Sequence, residues 1–297
     1  MITIFTIPKP YEGEIGDIQQ AAVRSWTRIH PEVRILLCGD EPGTREAARE
    51  WGAEYVPDIE SNEYGTPLLS SAFRAAGRLA RRPHLCYVNA DIILLPDLVH
   101  ALGRIAAGRY LLTARRLNGP SDLTSRLGPG HEAEDVEKLV KAGVLEPGPP
   151  TALDLFAFSR APELLELPPF AVGRPGWDNW FLYNALRNRV PVIDATGAVT
   201  VVHQAHGYEH VAEARGRWSG PEGDRNRRLA GGWTTQLDLR DASHVLAERG
   251  PRAARDREHV ERRLEQLPRY RPRLFRYLKS WKLRRWFVAA FPLHVVR

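Results

Sequence analysis

The chain has only two cysteines in 297 residues, Cys38 and Cys86, and each lies inside an apolar, strand-like run where a thiol behaves as a small buried hydrophobe. A disulfide framework and a cysteine-based zinc site are thereby excluded. Long apolar runs are missing too. No stretch approaches the roughly 20 residues of a membrane span, and Met1-Ile2-Thr3-Ile4-Phe5-Thr6-Ile7 has neither the basic opening nor the small-residue cleavage site of a secretory leader. These absences predict a cytoplasmic protein without a transmembrane anchor. No internal repeat is visible. Acidic residues thin out at the C-terminal end, where residues 251–297 hold 14 Lys or Arg against 4 Asp or Glu. The formal charge of +6 therefore combines a +10 tail with a −4 body. The length is slightly more than one core usually serves, which predicts one large domain with an appendage.

What is present is an alternation of strand-like and helix-like segments. Ile2 to Ile7 reads as a first strand ending in the rigid loop Pro8-Lys9-Pro10. Ile18 to Ile29 carries apolar and small residues at helical spacing, and Val33 to Cys38 reads as a second strand closed by Gly39-Asp40. Thr44 to Trp51 follows as a short helix with Thr44 as its expected cap, then Glu54 to Val56 as a third strand. The turn-rich loop Asn62 to Pro67 leads into a helix over 68–79. Such alternation predicts an α/β fold with a mostly parallel central sheet and flanking helices.

The centre of this pattern is Leu85 to Asp97, an apolar run interrupted by Asn89-Ala90-Asp91. It reads as a buried strand with polar residues at its carboxyl end, where open α/β sheets take their ligands, so Asp91 is a candidate for binding a cation or a phosphate. The plainer alternative is that Asn89 and Asp91 only end a strand. A helix from Pro96 and a strand at Tyr110 to Thr113 come next. Residues 115–150 then break into Gly, Pro and charge around one amphipathic segment, 133–142, and read as an insertion over the sheet's carboxyl edge. A strand resumes at Leu153 to Phe158. The loop Gly173 to Trp180 enters a helix with Asp178 at its N-terminus, and Val199 to Val202 delivers His203. Beyond His206 the chain turns polar, with one weak segment at Ser243 to Glu248.

With Asn-Ala-Asp, Gly-Trp-Asp-Asn-Trp and Val-Val-His in this order, residues 1–210 resemble nucleotide-sugar glycosyltransferases of the A-type fold, of the family-2-like bacterial group. The resemblance implies a Rossmann-like catalytic domain over 1–210. Its Asp-x-Asp motif maps onto Asn89-Ala90-Asp91, with Asp91 binding a divalent metal and Asn89 departing from the first Asp. His203 is implied as a second metal ligand, with His206 as a rival, and Mn²⁺ or Mg²⁺ suits a carboxylate with diphosphate oxygens. Asp178 matches the catalytic base of inverting members, although an Asp before a helix can equally be a cap. The resemblance further implies that Thr6, Ile7, Pro8, Asp40, Tyr64, Gly65 and Thr66 line a UDP- or GDP-linked donor. It implies that Asp154, Trp177, Asn179 and Trp180 face the acceptor, the two tryptophans stacking on sugar or else belonging to the core. The expected activity is sugar transfer to a hydroxyl in polysaccharide, lipopolysaccharide or glycolipid assembly. A sugar-nucleotide pyrophosphorylase would need a glycine-rich phosphate loop where Pro8-Lys9-Pro10 stands, and a catalytically inactive sugar-binding or membrane-associated scaffold is the other alternative.

Residues 211–250 are expected to be an irregular polar extension, and 251–297 a basic, aromatic helical tail. In 269–291, Arg and Lys interleave with Leu, Trp and Phe, a pattern suited to an anionic membrane surface better than to nucleic acid, the alternative being a helix packed on the domain.

Overall fold

The computed structural model describes residues 2–106, 108–120, 122–128, 130–205 and 220–290. The first half alternates as expected: β1 (Ile2–Thr6), α1 (Gly13–Trp26), β2 (Arg34–Cys38), α2 (Thr44–Glu50), β3 (Glu54–Val56), α3 (Leu69–Leu79) and β4 (His84–Val88). Then come β5 (Ile92–Leu94), α4 (Asp97–Gly103) and β6 (Leu111–Thr113). The insertion contains β7 (Leu117–Asn118), α5 (Leu123–Arg126), α6 (Glu132–Lys141) and β8 (Glu146–Pro147). After it run β9 (Leu155–Ser159), α7 (Pro162–Leu165), α8 (Trp177–Arg187), β10 (Val192–Asp194) and β11 (Val201–His203). The chain ends in α9 (Pro221–Ala230), β12 (His244–Ala247), β13 (Gly250–Ala253), α10 (Arg257–Tyr270), α11 (Pro272–Tyr277) and α12 (Trp281–Ala290).

The main sheet has the order β13-β12-β10-β6-β9-β4-β1-β2-β3. It is mostly parallel, with β9 antiparallel to both β4 and β6, and β13 antiparallel to β12. Strands buried on both faces send alternate side chains to opposite layers. Thus Ile2 and Ile4 of β1 join the core under α1 and α4, with Trp26, while Phe5 joins the core under α3 and α8, with Phe73 and Phe181. A second sheet, β5-β11-β7-β8, lies beside the first core layer.

Four expectations need correction. The apolar run around Asn89-Ala90-Asp91 is two strands in two sheets, because the polar triplet lets the chain leave β4 and pair β5 antiparallel with β11. Thr44 is not the cap of α2: Gly43 precedes the helix at φ 81°, a left-handed backbone that leaves Thr44 as the first helical residue. The polar extension is not irregular over its described part, since α9 forms and β12 pairs in parallel with β10, widening the main sheet. Four-residue strands joined by a tight hairpin carry too little alternation to stand out in a charged sequence. Finally, α10 of the tail is docked on the domain. Val260, Leu264 and Leu267 are buried, and Arg262 pairs with Asp241 at 3.1 Å and Asp238 at 3.3 Å. The described part of the tail contains α10, α11 and α12.

Candidate active site

The carboxyl ends of β1, β2 and β4 share one edge, since Thr6 lies beside Leu37 and Phe5 beside Tyr87. β9 runs against β4 and begins at this edge, so Asp154 meets Asn89: the Asn89 amide donates to the Asp154 carbonyl at 3.0 Å. Their side chains also join, Asn89 Nδ2 donating to Asp154 Oδ1 at 2.6 Å. Arg116, in the insertion, donates from Nη1 to Asp154 Oδ2 at 2.9 Å and from Nε to Asn118 Oδ1 at 2.8 Å. Asp154 is therefore charge-compensated and held as an organising group, which differs from the acceptor contact expected of it. Arg116 escaped the sequence reading because nothing in a Gly- and Pro-rich stretch marks one arginine among several.

Asp91 leaves β4 two residues later and reaches His203 at the end of β11, with 3.5 Å between Oδ2 and Nε2. Pairing of Ile92 with His203 fixes this approach. The next residue, Gln204, is fully buried and locks the corner. Its amide and Nε2 donate to the Asp91 carbonyl at 3.1 and 3.2 Å, Nε2 also donates to the Ile18 carbonyl at 2.9 Å, and its Oε1 accepts from Thr124 at 2.9 Å. Gln204 too was missed, as a lone polar residue after a strand carries no signal until its partners are known. His206 lies outside the described residues.

Asp178 sits in the first turn of α8, but Gly176 at φ 99° is the residue that caps it, without a side-chain bond. Asp178 is thus a first-turn residue and not the N-cap. One Asp178 carboxylate oxygen is buried without a hydrogen-bond partner among the described residues. Burial raises its pKa to about 6, opposed by the amides of Asn179, Asp178 and Gly176 and aided by the charge of Asp154. The phenol of Tyr87 lies in the field of the three carboxylates. Burial pushes its pKa up most, followed by Asp91, the Cys38 thiol, Asp154 and Asp178.

Trp177 and Trp180 belong to the core, at 6% and 8% exposure, and offer no face to a sugar. The Trp177 ring lies 5.0 Å from Tyr87 and 5.2 Å from Phe156, and that of Trp180 lies 5.2 Å from Phe170. Large aromatic area is worth most when fully buried, and α8 spends both rings on holding itself to the sheet. Asn179 is a clamp, its Nδ2 donating to the Leu237 carbonyl at 2.7 Å.

On the expected nucleotide side, Thr6, Ile7 and Pro8 are buried at the end of β1, and the Thr6 hydroxyl has no partner among the described residues. Asp40 is exposed after β2 and contacts the Tyr55 hydroxyl, over whose ring the Arg45 guanidinium lies at 4.9 Å. Tyr64, Gly65 and Thr66 form a turn organised by Asn62, whose Oδ1 accepts from the amides of Tyr64 and Thr66 at 2.9 and 3.0 Å. Asn62 in turn donates to Glu222 of α9 at 2.7 Å, and Glu222 accepts from Arg174 Nε at 3.0 Å. The bonds of this turn thus run to α9 and to the loop before α8.

No family model matches the chain, and no curated protein matches it. Among solved structures it is similar in fold to glucosyl-3-phosphoglycerate synthase from Mycobacterium tuberculosis. In complex with Mn²⁺, uridine diphosphate and phosphoglyceric acid, that structure is 16% identical, at a TM-score of 0.45 over 78% of this chain and 79% of that one. Its complex with Mg²⁺ and uridine diphosphate gives 14% identity and a TM-score of 0.44 over 78% and 80%. Likeness at this level assigns neither a substrate nor a residue role.

The chemistry open to the site follows from its own groups. Among the described residues no cluster of three or more His, Cys, Asp or Glu could hold a metal ion. Asp91 and His203 make a pair, and their 3.5 Å separation is within reach of one cation with bonds of about 2.1 Å to each. A carboxylate and an imidazole fit Mn²⁺ or Mg²⁺ only if further oxygens come from a ligand or water.

Proposed function

We propose that this protein is a nucleotide-sugar glycosyltransferase that moves a sugar from a UDP- or GDP-linked donor to an acceptor hydroxyl with inversion. The observation that carries the reading is the approach of Asp91 to His203, with a half-buried Asp178 in the field of Asp154, at the carboxyl edge of a mostly parallel sheet. Asp91 and His203 would hold Mn²⁺ or Mg²⁺, which when bound supplies positive charge to the departing nucleoside diphosphate. Thr6, Ile7, Pro8 and Asp40 would line the nucleoside, and Asn89 and Ala90 the diphosphate. The Tyr64-Gly65-Thr66 turn would contribute to the same donor site. The bond from the acceptor oxygen to the anomeric carbon forms as the bond from that carbon to the phosphate oxygen breaks, and Asp178 takes the hydroxyl proton. A pKa of about 6 leaves Asp178 ionised at neutral pH yet more basic than an ordinary carboxylate. Arg116 keeps Asp154 paired at 2.9 Å, and the charge of Asp154 adds to the rise at Asp178.

A glycan or lipid-linked acceptor in cytoplasmic polysaccharide, lipopolysaccharide or glycolipid assembly fits this reaction. The pyrophosphorylase alternative is disfavoured by the β1–α1 connection. There Lys9 is bonded to Gln19 through both its amide, at 2.7 Å, and its carbonyl, at 3.0 Å, and no glycine-rich loop stands to cradle a triphosphate. Calorimetry with UDP and GDP, with and without Mn²⁺, followed by a donor-hydrolysis assay, tests the proposal. Metal-dependent binding of one nucleotide together with release of that nucleotide from its sugar conjugate is expected. Binding of neither would leave a scaffold, and pyrophosphate-dependent formation of nucleoside triphosphate would leave the pyrophosphorylase.

A further inference from the structure

The tail divides into a docked half and an outward half. α10 is stapled to the edge of the main sheet by its buried apolar stripe, by Arg262 and by Arg263, whose Nη2 donates to the Ala242 carbonyl at 3.3 Å. α12 touches this unit through Val288, which is fully buried. At about 100° per residue, Leu283 and Trp286 fall on the face opposite Val288. They are 52% and 63% exposed, and Trp281 and Tyr277, just before them, are 57% and 84% exposed. Leu283 and Trp286 thus stand outward on one face of α12, an arrangement that water disfavours and that marks an interaction surface, while Trp281, on the Val288 side at the start of α12, and Tyr277, at the end of α11, add exposed aromatic area along the same arm.

The charge around them selects the partner. Arg273, Arg276, Lys279, Lys282 and Arg285 are exposed beside these rings, and no Asp or Glu follows Glu265 in the sequence. A protein surface or a second copy of this chain would have to bring its own acids to meet such a one-signed patch, and the −4 body of the molecule spreads its acids over many local ion pairs. A nucleic acid would satisfy the cations but not Leu283 in the middle of them. Trp and Tyr at the level of Lys and Arg are what the boundary between headgroups and acyl chains accommodates. No helix among the described residues is long and apolar enough to cross a membrane, so insertion would be shallow.

We propose that α11 and α12 form a docking surface for an anionic lipid bilayer, with Leu283 and Trp286 entering the interface, Trp281 at its edge and the flanking cations meeting lipid phosphates. α10 makes this a fixed arm on the catalytic body. The proposal stands independently of the transferase reading.

The test is co-sedimentation of the full chain with phosphatidylcholine vesicles and with vesicles containing a quarter phosphatidylglycerol, at low and high salt. The parent should partition at least about tenfold better to the anionic vesicles, a preference that salt reduces. The variant Trp281→Ala, Leu283→Ala, Trp286→Ala should lose binding to both. Lys282→Glu with Arg285→Glu should lose only the anionic preference. All these positions are exposed, so the melting temperature should stay that of the parent. Equal partitioning of parent and the triple alanine variant would overturn the proposal. So would tighter binding to a single- or double-stranded oligonucleotide than to the vesicles, or self-association abolished by the same three alanines in the absence of vesicle binding.

Discussion

Asn89 and Asp154 are joined twice, backbone to backbone at 3.0 Å and side chain to side chain at 2.6 Å. This explains why an Asn stands where the resemblance would place the first Asp. A carboxylate at 89 would face the carboxylate of Asp154 at hydrogen-bond distance, whereas an amide donates to it.

Asn89→Asp should therefore cost stability in a pH-dependent way. Two facing carboxylates raise the pKa of one of them in the folded state, so the native fold is favoured while the proton is held and disfavoured once it is lost. Urea denaturation should show a deficit of about 1–3 kcal/mol at pH 7.5 that shrinks as the pH is lowered towards 5. A deficit of the same size at both values would show that Asn89 matters only through packing.

Asp91→Ala should abolish Mn²⁺-dependent nucleotide binding measured by calorimetry, and His203→Ala should weaken it without abolishing it. With Asp91 and His203 as the protein ligands among the described residues, Mn²⁺ alone should bind the parent weakly and nucleotide and metal should each tighten the other. Tight metal binding by the nucleotide-free protein would show that the pair is part of a complete protein-made site.

Asp178→Asn should lower turnover by about 10²-fold or more while leaving donor affinity intact, because an amide cannot take the hydroxyl proton. In the parent, kcat should fall as the pH drops through about 6. Stability should move the opposite way from activity. The folded-state pKa of Asp178 is raised, so its contribution is favourable at acid pH and is lost as the pH rises through about 6. At pH 7.5 the amide variant should thus be more stable by about 1–3 kcal/mol, an advantage that disappears near pH 4. Unchanged turnover would remove Asp178 from the reaction.

Deleting residues from Pro272 onward should leave a folded protein that nucleoside diphosphate and Mn²⁺ still stabilise, because α10 keeps its own buried stripe and ion pairs. The loss of Val288 from that cluster should cost about 2 kcal/mol. Deleting from His244 onward should give an aggregating product, since β12 covers β10 along the main sheet and an uncovered β10 would be a bare edge. Thermal melts with and without ligand distinguish the two truncations.

Local pattern in the chain was enough to determine the alternation of strands and helices and the placing of Asp91 at a strand end. Each is written in neighbouring residues: the spacing of apolar side chains reports which face is buried, and a polar triplet in an apolar run reports where burial stops. Tertiary structure alone decided which polar groups share one low-dielectric corner. Asp154 meets an asparagine 65 residues away and an arginine 38 away, and Gln204 reaches Ile18 across 186. The same holds for Trp177 and Trp180, whose side chains suit a sugar or a core equally until the helix that carries them is laid on the sheet. It holds for Asp178, whose basicity is a property of the burial around it and of Asp154, since the energy of a charge depends on what surrounds it in space and only its identity is carried along the chain.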